Sequence, residues 1–97
     1  MSQAAADAPL ERTVPIVNRL GLHARAAAKL VTLAAKYRSE VRIRKDGREV
    51  SGKSIMGVMM LAAAQGSRIT LVAAGPDSAE ALDALTALIA NKFDEGA

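Results

Sequence analysis

The chain of 97 residues contains no cysteine and no tryptophan, and aromatic residues make up only 2% of it. The lack of cysteine excludes disulfide bonds, thiol nucleophiles and thiolate metal sites, and it fits a reducing cytoplasm. With so few aromatic residues, the core must be built from alanine, leucine, valine, isoleucine and methionine. The single histidine, His23, and the scattered carboxylates give no metal-ligand spacing, and no glycine-rich loop with a lysine is present to hold a nucleotide. We therefore expect neither a metal nor another cofactor.

Long hydrophobic runs are absent as well. No window reaches the roughly 18 apolar residues of a membrane-spanning helix, so we expect no membrane insertion. Residues 1–12 lack the basic and apolar segments of a signal peptide, and we expect them to form a flexible extension. The remaining length suits one domain, which we place at residues 13–97 of a cytoplasmic protein.

The order of apolar and turn residues predicts the element order βαββαβα. Pro15 cannot donate a hydrogen bond to a sheet ladder, so its strand belongs at a sheet edge. Strands that alternate with helices and include one tight hairpin favour an α+β fold, with a mostly antiparallel sheet covered by helices on one face. The predicted elements are a strand at 13–18, a helix at 24–37, a hairpin that turns at Asp46-Gly47, a short helix from Ser54 to just before Gly66, a strand at 67–74, and a helix from Asp77 through Phe93.

The segment EVRIRKDGREVSG predicts the register of the hairpin as well as its turn. Asp46-Gly47 tolerates the positive φ angles of a two-residue turn. Pairing across this turn brings apolar residues together on one face and opposite charges together on the other. The predicted pairs are Lys45 with Arg48, Ile43 with Val50, and Arg44 with Glu49.

Two of the predicted helices begin with capping residues. Ser54 places a side-chain oxygen at the N-terminus of the short helix, and a serine there often does nothing more than cap. Asp77 occupies the corresponding position before the last helix, and Glu80, three residues later, can reach back to it. The last helix then presents apolar residues at helical spacing, namely Leu82, Leu85, Ile89 and Phe93.

The stretch LGLHARAA places His23 at the start of the first helix, two residues before Arg25. A neutral imidazole is a good nucleophile near neutral pH, and its attack on phosphorus needs no separate base. The unpaired N–H groups of Ala24, Arg25 and Ala26 would form an anion site at this helix end, strengthened by the helix dipole and by the Arg25 charge. These features favour phosphoryl transfer; the alternative is that His23 only caps or packs the helix.

The stretch GKSIMGVMML predicts a short helix that is apolar on nearly every side. Methionine is flexible and polarisable, which suits a surface that accepts several partners. We therefore expect a docking patch formed by Ile55, Met56 and Met59, while Val58, Leu61 and Ala62 turn inward. The alternative is that all of these residues belong to the core.

The formal net charge of +3 and the basic hairpin residues Arg42, Arg44, Lys45 and Arg48 raise the question of nucleic-acid binding. The only aromatic residues, Tyr37 and Phe93, are placed on helices, so the sheet has no platform on which bases can stack. We expect a solvated sheet edge and no nucleic-acid partner.

Two separated motifs, GLHARAAAK and GKSIMGVMML, resemble the histidine-containing phosphocarrier protein (HPr) family of the bacterial phosphoenolpyruvate-dependent phosphotransferase system. The resemblance runs from about Thr13 to Phe93. It implies an open-faced β-sandwich whose four-stranded antiparallel sheet has the order 1-4-2-3. It also implies a carrier that acts as a transfer intermediate rather than as a stand-alone catalyst.

The resemblance assigns roles to individual residues. His23 matches the histidine that is phosphorylated at Nδ1, Arg25 matches the arginine that neutralises the phosphate, and Ser54 matches the serine that an HPr kinase/phosphorylase modifies in many bacteria. The implied phosphoryl donor is phosphorylated enzyme I, and the implied acceptor is an enzyme IIA. These partners dock on the start of the first helix and on the short second helix, where we place Leu22, Ile55, Met56 and Met59.

One position departs from the family pattern. Many members have proline directly after the arginine, whereas this chain has Ala26, which does not fix φ in advance. Because alanine is the best helix former, we expect the motif to survive. The departure and the ending LIANKFDE also resemble proteobacterial and nitrogen-related branches, so a regulatory protein not linked to sugar uptake is the alternative to a sugar phosphocarrier. We expect a monomer in either case.

Overall fold

A computed structural model describes residues 8–95 of the chain. Within them it has four strands, three α-helices and a final 3₁₀ turn, in the predicted order βαββαβα. The elements are β1 (Leu10–Pro15), α1 (Ala24–Ala34), β2 (Glu40–Lys45), β3 (Arg48–Ser51), α2 (Ile55–Met60), β4 (Arg68–Ala74), α3 (Ser78–Ala90) and the 3₁₀ turn Lys92–Asp94. No helix in this part of the chain is both long and apolar enough to cross a membrane.

The four strands form one antiparallel sheet in the order β1-β4-β2-β3. This order confirms the fold class, and it places β1 at an edge, with Pro15 opposite Arg68 of β4. A strand at an edge pairs with one neighbour only. The missing N–H of Pro15 therefore leaves no carbonyl of a second neighbouring strand without a donor.

The helices cover one face of this sheet and leave the other open. In β2, Ile43 is buried under the helices, whereas Arg42 and Arg44 alternate with it and are partly exposed. Arg42 forms an ion pair with Glu49, and Arg44 forms one with Glu11, so the open face carries paired charges. The largest fully buried side chains of the core are Ile16, Leu30, Ile43, Ile69, Leu71, Leu82, Leu85, Ile89 and Phe93.

The β2–β3 hairpin has the predicted register. Asp46 and Gly47 have φ angles of 51° and 81°, as a two-residue turn with two positive φ angles requires. The pairs across the hairpin include Lys45 with Arg48, Ile43 with Val50, and Arg44 with Glu49. Hydrophobic alternation and turn chemistry both depend on residues that are close in the chain, which explains why the sequence predicts this register correctly.

The first strand begins and ends earlier than the predicted span of 13–18. Leu10 pairs with Ala73, and the ladder ends where Pro15 faces the first residue of β4. Ile16 still exchanges two backbone hydrogen bonds with Gly66 and Ser67, each of 2.8 Å, but the chain then turns away toward α1. Residues 10–12 therefore belong to the sheet, while residues 1–7 of the expected flexible extension lie outside the described residues.

All three helices end earlier than predicted. The first helix ends at Ala34 rather than at residue 37, and α2 ends at Met60 rather than just before Gly66. Beyond α2 the backbone enters the left-handed region at Ala62, with φ of 51°, which breaks the helical hydrogen-bond pattern. Consequently Ala62 is exposed, not turned inward as predicted, and Ala63 is buried instead.

Asp77 precedes α3 as predicted, but its side chain makes no capping hydrogen bond. Its carboxylate instead accepts hydrogen bonds from the backbone N–H of Arg38 and Ser39, both at 2.9 Å, and from the Ser39 hydroxyl at 2.6 Å. The N–H of Asp77, which Glu80 was predicted to bind, donates to Ser39 Oγ at 3.2 Å. A tertiary partner has thus replaced the local capping box, and it joins the loop after α1 to the loop after β4.

Candidate functional site

His23 occupies the N-cap position of α1, with extended backbone angles of φ −72° and ψ 177°. The loop that leads to it is fixed by Gly21 (φ 66°), where an added Cβ would lie 2.5 Å from the carbonyl oxygen of Ala63. The next N–H, that of Leu22, donates to the same oxygen at 2.9 Å. A glycine is therefore required two residues before His23, because only glycine permits both this φ and this close approach.

The imidazole of His23 has a different neighbour at each nitrogen. Nδ1 accepts a hydrogen bond of 3.3 Å from the backbone N–H of Arg25, and Nε2 contacts a carboxylate oxygen of Glu95. In a neutral imidazole one nitrogen donates and the other accepts. These contacts therefore assign the proton to Nε2 and leave the lone pair on Nδ1. The side chain is 27% exposed, so a second molecule can reach it.

Glu95 is the site residue that the sequence analysis missed. One oxygen of its carboxylate contacts His23, and the other accepts a hydrogen bond of 3.0 Å from Nδ2 of the buried Asn18. Burial raises the pKa of the Glu95 carboxyl, but the hydrogen bonds from His23 and Asn18, together with electrostatic attraction to His23 and Lys29, outweigh it, so the pKa lies below its ordinary value. The carboxylate is therefore charged at neutral pH, facing the imidazole.

The segment after α3 carries Glu95 back to His23. Its backbone adopts positive φ angles at Lys92, Phe93 and Asp94, an unfavourable conformation for residues other than glycine. Complete burial of the Phe93 side chain offsets this cost, and the Lys29 ammonium donates to the Phe93 carbonyl at 2.7 Å. No short-range sequence pattern reports such a turn, which explains why Glu95 was missed.

A cavity of about 340 Å³ lies beside His23. Its walls are formed by Arg19, Leu20, His23, Arg25, Lys29, Asp94 and Glu95. Three of these residues are cationic and two are anionic, and the N-terminus of α1 adds its positive dipole end. The excess of positive charge around the cavity favours binding of an anion next to Nδ1.

Arg25 and the first-turn amides lie where they were predicted. Ala24, Arg25 and Ala26 form the first turn of α1, where backbone N–H groups lack helical partners. The Arg25 side chain is exposed and takes part in none of the ion pairs found within residues 8–95. Ala26 is fully buried, and the helix begins without the proline that many family members have at this position.

Ser54 is the N-cap residue of α2, as predicted. Its hydroxyl oxygen accepts a hydrogen bond of 3.1 Å from the backbone N–H of Gly57. The side chain is partly exposed. A group attached to this oxygen would therefore stand at the beginning of the short helix and beside its apolar residues.

The apolar surface of α2 differs in part from the predicted docking patch. Ile55, Met56 and Met59 are exposed, with 43%, 71% and 40% of their surface accessible, and Val58 and Leu61 are buried as predicted. Two exposed apolar side chains, Leu20 and Met60, were missed. Leu22 was wrongly placed in the patch: it is buried in the hydrophobic core, because the hydrogen bond of its N–H to Ala63 turns its side chain inward. We use the name α2 surface for Ile55, Met56, Met59 and Met60.

Within residues 8–95, no group of three or more histidine, cysteine, aspartate or glutamate side chains is placed to hold a metal ion.

The comparisons with known proteins agree with this geometry. Residues 10–91 match a family model described as "PTS HPr component phosphorylation site". A phosphocarrier protein HPr from Cupriavidus necator is 60% identical over 87 residues, which cover 90% of this chain and 98% of that protein. A phosphocarrier protein NPr from Shewanella violacea is 48% identical over 86 residues, which cover 89% of this chain and 94% of that protein. A crystal structure of HPr from Thermoanaerobacter tengcongensis superposes with a TM-score of 0.86 at 46% identity, covering 89% of this chain and 97% of that one. The family match, these relatives and the shared fold show that the chain belongs to the HPr family and is a phosphocarrier protein of the phosphotransferase system.

Proposed function

We propose that His23 accepts a phosphoryl group on Nδ1 from phosphorylated enzyme I and passes it to an enzyme IIA. The observation that supports this proposal is the pair of contacts at the imidazole, which place the lone pair on Nδ1, at a helix N-terminus. The output we propose is sugar-linked phosphotransfer. The nitrogen-related alternative is not favoured, since identity is 60% to the Cupriavidus HPr and 48% to the Shewanella NPr.

The transfer step is an in-line displacement between two histidines. The Nδ1 lone pair of His23 attacks the phosphorus, a new N–P bond forms, and the N–P bond to the donor histidine breaks. The electron pair of that broken bond returns to the donor nitrogen, which restores a neutral ring there. The His23 ring becomes a phosphoimidazolium that keeps its proton on Nε2. The Glu95 carboxylate faces that proton and stabilises the new positive charge.

The phosphoryl oxygens would lie at the N-terminus of α1. The N–H of Arg25, which now donates to Nδ1, becomes available to an oxygen once Nδ1 carries phosphorus. The Arg25 guanidinium can turn toward the same oxygens, since it is exposed and holds no ion pair among residues 8–95. Such donors are in place before the reaction, so little reorganisation is needed when charge arrives.

The partners would dock over His23 and the α2 surface. This surface is apolar and exposed, and it belongs to a short helix that packs against α1. Arg19, Arg25 and Lys29 lie around the histidine, so an acidic rim on the partner would match them. Transient exchange between a donor and an acceptor requires one surface that both can use, and flexible methionine side chains suit that requirement.

Ser54 is the proposed site of regulatory phosphorylation by an HPr kinase/phosphorylase. A phosphate on Oγ would add nearly two negative charges at the N-terminus of α2, which the helix itself tolerates. The same charge would stand beside the α2 surface and repel an acidic partner. We therefore expect phosphorylation of Ser54 to slow transfer from enzyme I while leaving the fold intact.

The proposal includes a monomeric protein of the cytoplasm, a location that the cysteine-free composition fits. It includes no nucleic-acid partner, since Arg42 and Arg44 on the open face are paired with carboxylates. The carrier domain that we propose begins before the predicted residue 13, because Leu10, Glu11 and Arg12 pair with β4.

The decisive experiment is incubation of the chain with enzyme I and phosphoenolpyruvate, followed by mapping of the acid-labile phosphate. We expect the label on His23 and its onward transfer to an enzyme IIA. The His23→Ala variant serves as the control and should take up no label. Label elsewhere in the chain, or no label on the wild-type protein, would overturn the proposal.

A further inference from the structure

The methionines of this chain are concentrated on one short helix. Of four methionines in 97 residues, three, namely Met56, Met59 and Met60, lie in the six residues of α2. All three are exposed, and Met56 is the most exposed of the large hydrophobic side chains within residues 8–95. The chain contains no cysteine. All the sulfur atoms within residues 8–95 therefore lie on the α2 surface, where they can be oxidised.

We propose that α2 is an oxidation site, at which hydrogen peroxide converts Met56, Met59 and Met60 to methionine sulfoxide and thereby blocks partner docking. This inference rests on the proposed function of the α2 surface as the place where phosphotransfer partners bind. It adds a reversible chemical inhibition of partner docking that is independent of Ser54.

The reaction needs only peroxide as the oxidant. The thioether sulfur attacks one peroxide oxygen, a sulfur–oxygen bond forms, and the oxygen–oxygen bond breaks. The second oxygen leaves as water after proton transfer, so sulfur is oxidised by two electrons and peroxide is reduced by two. A methionine sulfoxide reductase with a dithiol reductant reverses the step, because the dithiol supplies the two electrons and is itself oxidised to a disulfide.

The fold should tolerate this change, while docking should not. Helix α2 is anchored by the fully buried Val58, and Leu61, which directly follows the helix, is buried too. The three methionine side chains are 71%, 40% and 61% exposed, so a polar oxygen on each can be solvated without unfolding the helix. A partner that buries the α2 surface must instead desolvate three sulfoxide groups where it had met apolar side chains. His23 lies on another segment, and its contacts with Glu95 and Arg25 are unaffected.

The chain offers a matched control. In a variant that combines Met56→Leu, Met59→Leu and Met60→Leu, each side chain keeps a similar volume and apolar character but has no sulfur to oxidise. Met1 remains in this variant and lies outside the described residues, so it reports any effect of oxidation away from α2. Each protein is compared with its own untreated sample, which cancels any change that leucine makes to the basal rate.

The experiment treats both proteins with hydrogen peroxide, removes the peroxide with catalase, and then measures initial phosphorylation by enzyme I and phosphoenolpyruvate. Peptide mass spectrometry locates the sulfoxides and confirms that His23 is unmodified, and circular dichroism confirms the fold. We expect a rate at least about tenfold lower for oxidised wild-type protein, which corresponds to about 1.4 kcal/mol. We expect no loss for the leucine variant, and recovery of the wild-type protein after treatment with the reductase.

The outcomes separate this inference from the proposed function. The inference is wrong if the oxidised wild-type protein carries sulfoxides on α2 and keeps its rate of phosphorylation. It is also wrong if the leucine variant loses the same fraction of its rate. If untreated wild-type protein takes up no phosphate on His23, the proposed function fails first.

Discussion

The carboxylate of Glu95 lies against Nε2 of His23, which precedes it by 72 residues in the chain. This contact leaves Nδ1 with the lone pair and puts a negative charge on the opposite side of the ring. In the proposed transfer, Glu95 would thus determine which nitrogen of His23 attacks the phosphorus.

Replacement of Glu95 by glutamine tests this relationship. Glu95→Gln keeps an oxygen that can accept a hydrogen bond from the Nε2–H but removes the charge that would stabilise the phosphoimidazolium. Since a charge-assisted hydrogen bond exceeds a neutral one by about 1 kcal/mol, we expect phosphorylation of His23 to be about fivefold slower. Initial rates with enzyme I and phosphoenolpyruvate provide the measurement, and nitrogen NMR of the ring should show more of the Nδ1-protonated tautomer. Glu80→Gln, on an exposed position of α3, is the matched control, and equal rates for both variants would refute the role of Glu95.

The hydrogen bonds of the Asp77 carboxylate predict that the stability of the fold depends on pH in the acid range. The hydrogen bond from the Ser39 hydroxyl, aided by backbone N–H groups, lowers the pKa of Asp77 from 3.8 to about 2. A depressed pKa means that the folded state favours the carboxylate, so its contribution is complete above the unfolded pKa and is lost as pH falls from 3.8 toward about 2. We expect Asp77→Asn to unfold at a lower temperature than the wild-type protein near pH 7, and the gap to narrow in that acid range. Thermal unfolding of both proteins from pH 7 to pH 2 measures this gap, with Glu80→Gln, at an exposed position, as the surface control. A gap that stays constant with pH would contradict the assignment.

The parts of the structure that follow from the sequence are those decided by neighbours in the chain. The hairpin register depends on alternation and on Asp46-Gly47, and the N-caps His23 and Ser54 act on the two or three residues after them. Asp77 is the exception that shows the limit, because Ser39, which is distant in sequence, provides better partners than the local capping box.

The missed parts of the site depend on long-range packing. Glu95 reaches His23 only because Phe93 is buried and the backbone around it adopts positive φ angles. Leu22 turned out to be buried because its loop is held to Ala63, a contact that helical spacing cannot report. Motif and chemistry were therefore accessible from the sequence, whereas the second contact of the imidazole was not.

Gly21 should be the least replaceable glycine of the site. Gly21→Ala would force a positive φ on alanine and bring its Cβ within 2.5 Å of the Ala63 carbonyl oxygen. Gly47→Ala is the matched control, because Gly47 also has a positive φ but nothing lies within 4 Å of an added Cβ. We expect Gly47→Ala to lower the free energy of unfolding by about 1 kcal/mol, and Gly21→Ala to lower it by at least about 2 kcal/mol. Urea unfolding measures both, and equal losses would show that the loop moves away from Ala63 at little cost.

Two substitutions of Ser54 distinguish a role in helix capping from a role in electrostatic regulation. Ser54→Asp and Ser54→Asn both keep a side-chain oxygen that can accept the Gly57 N–H, so α2 should form in each. Only aspartate adds a negative charge beside the α2 surface. One exposed charge changes a binding free energy by up to about 1 kcal/mol, so we expect Ser54→Asp to accept phosphate from enzyme I up to about fivefold more slowly than Ser54→Asn. The difference should shrink at high salt, because screening weakens repulsion between exposed charges. If the two variants react at the same rate at low salt, charge at Ser54 does not control docking, and the role of Ser54 in this chain is reduced to capping α2.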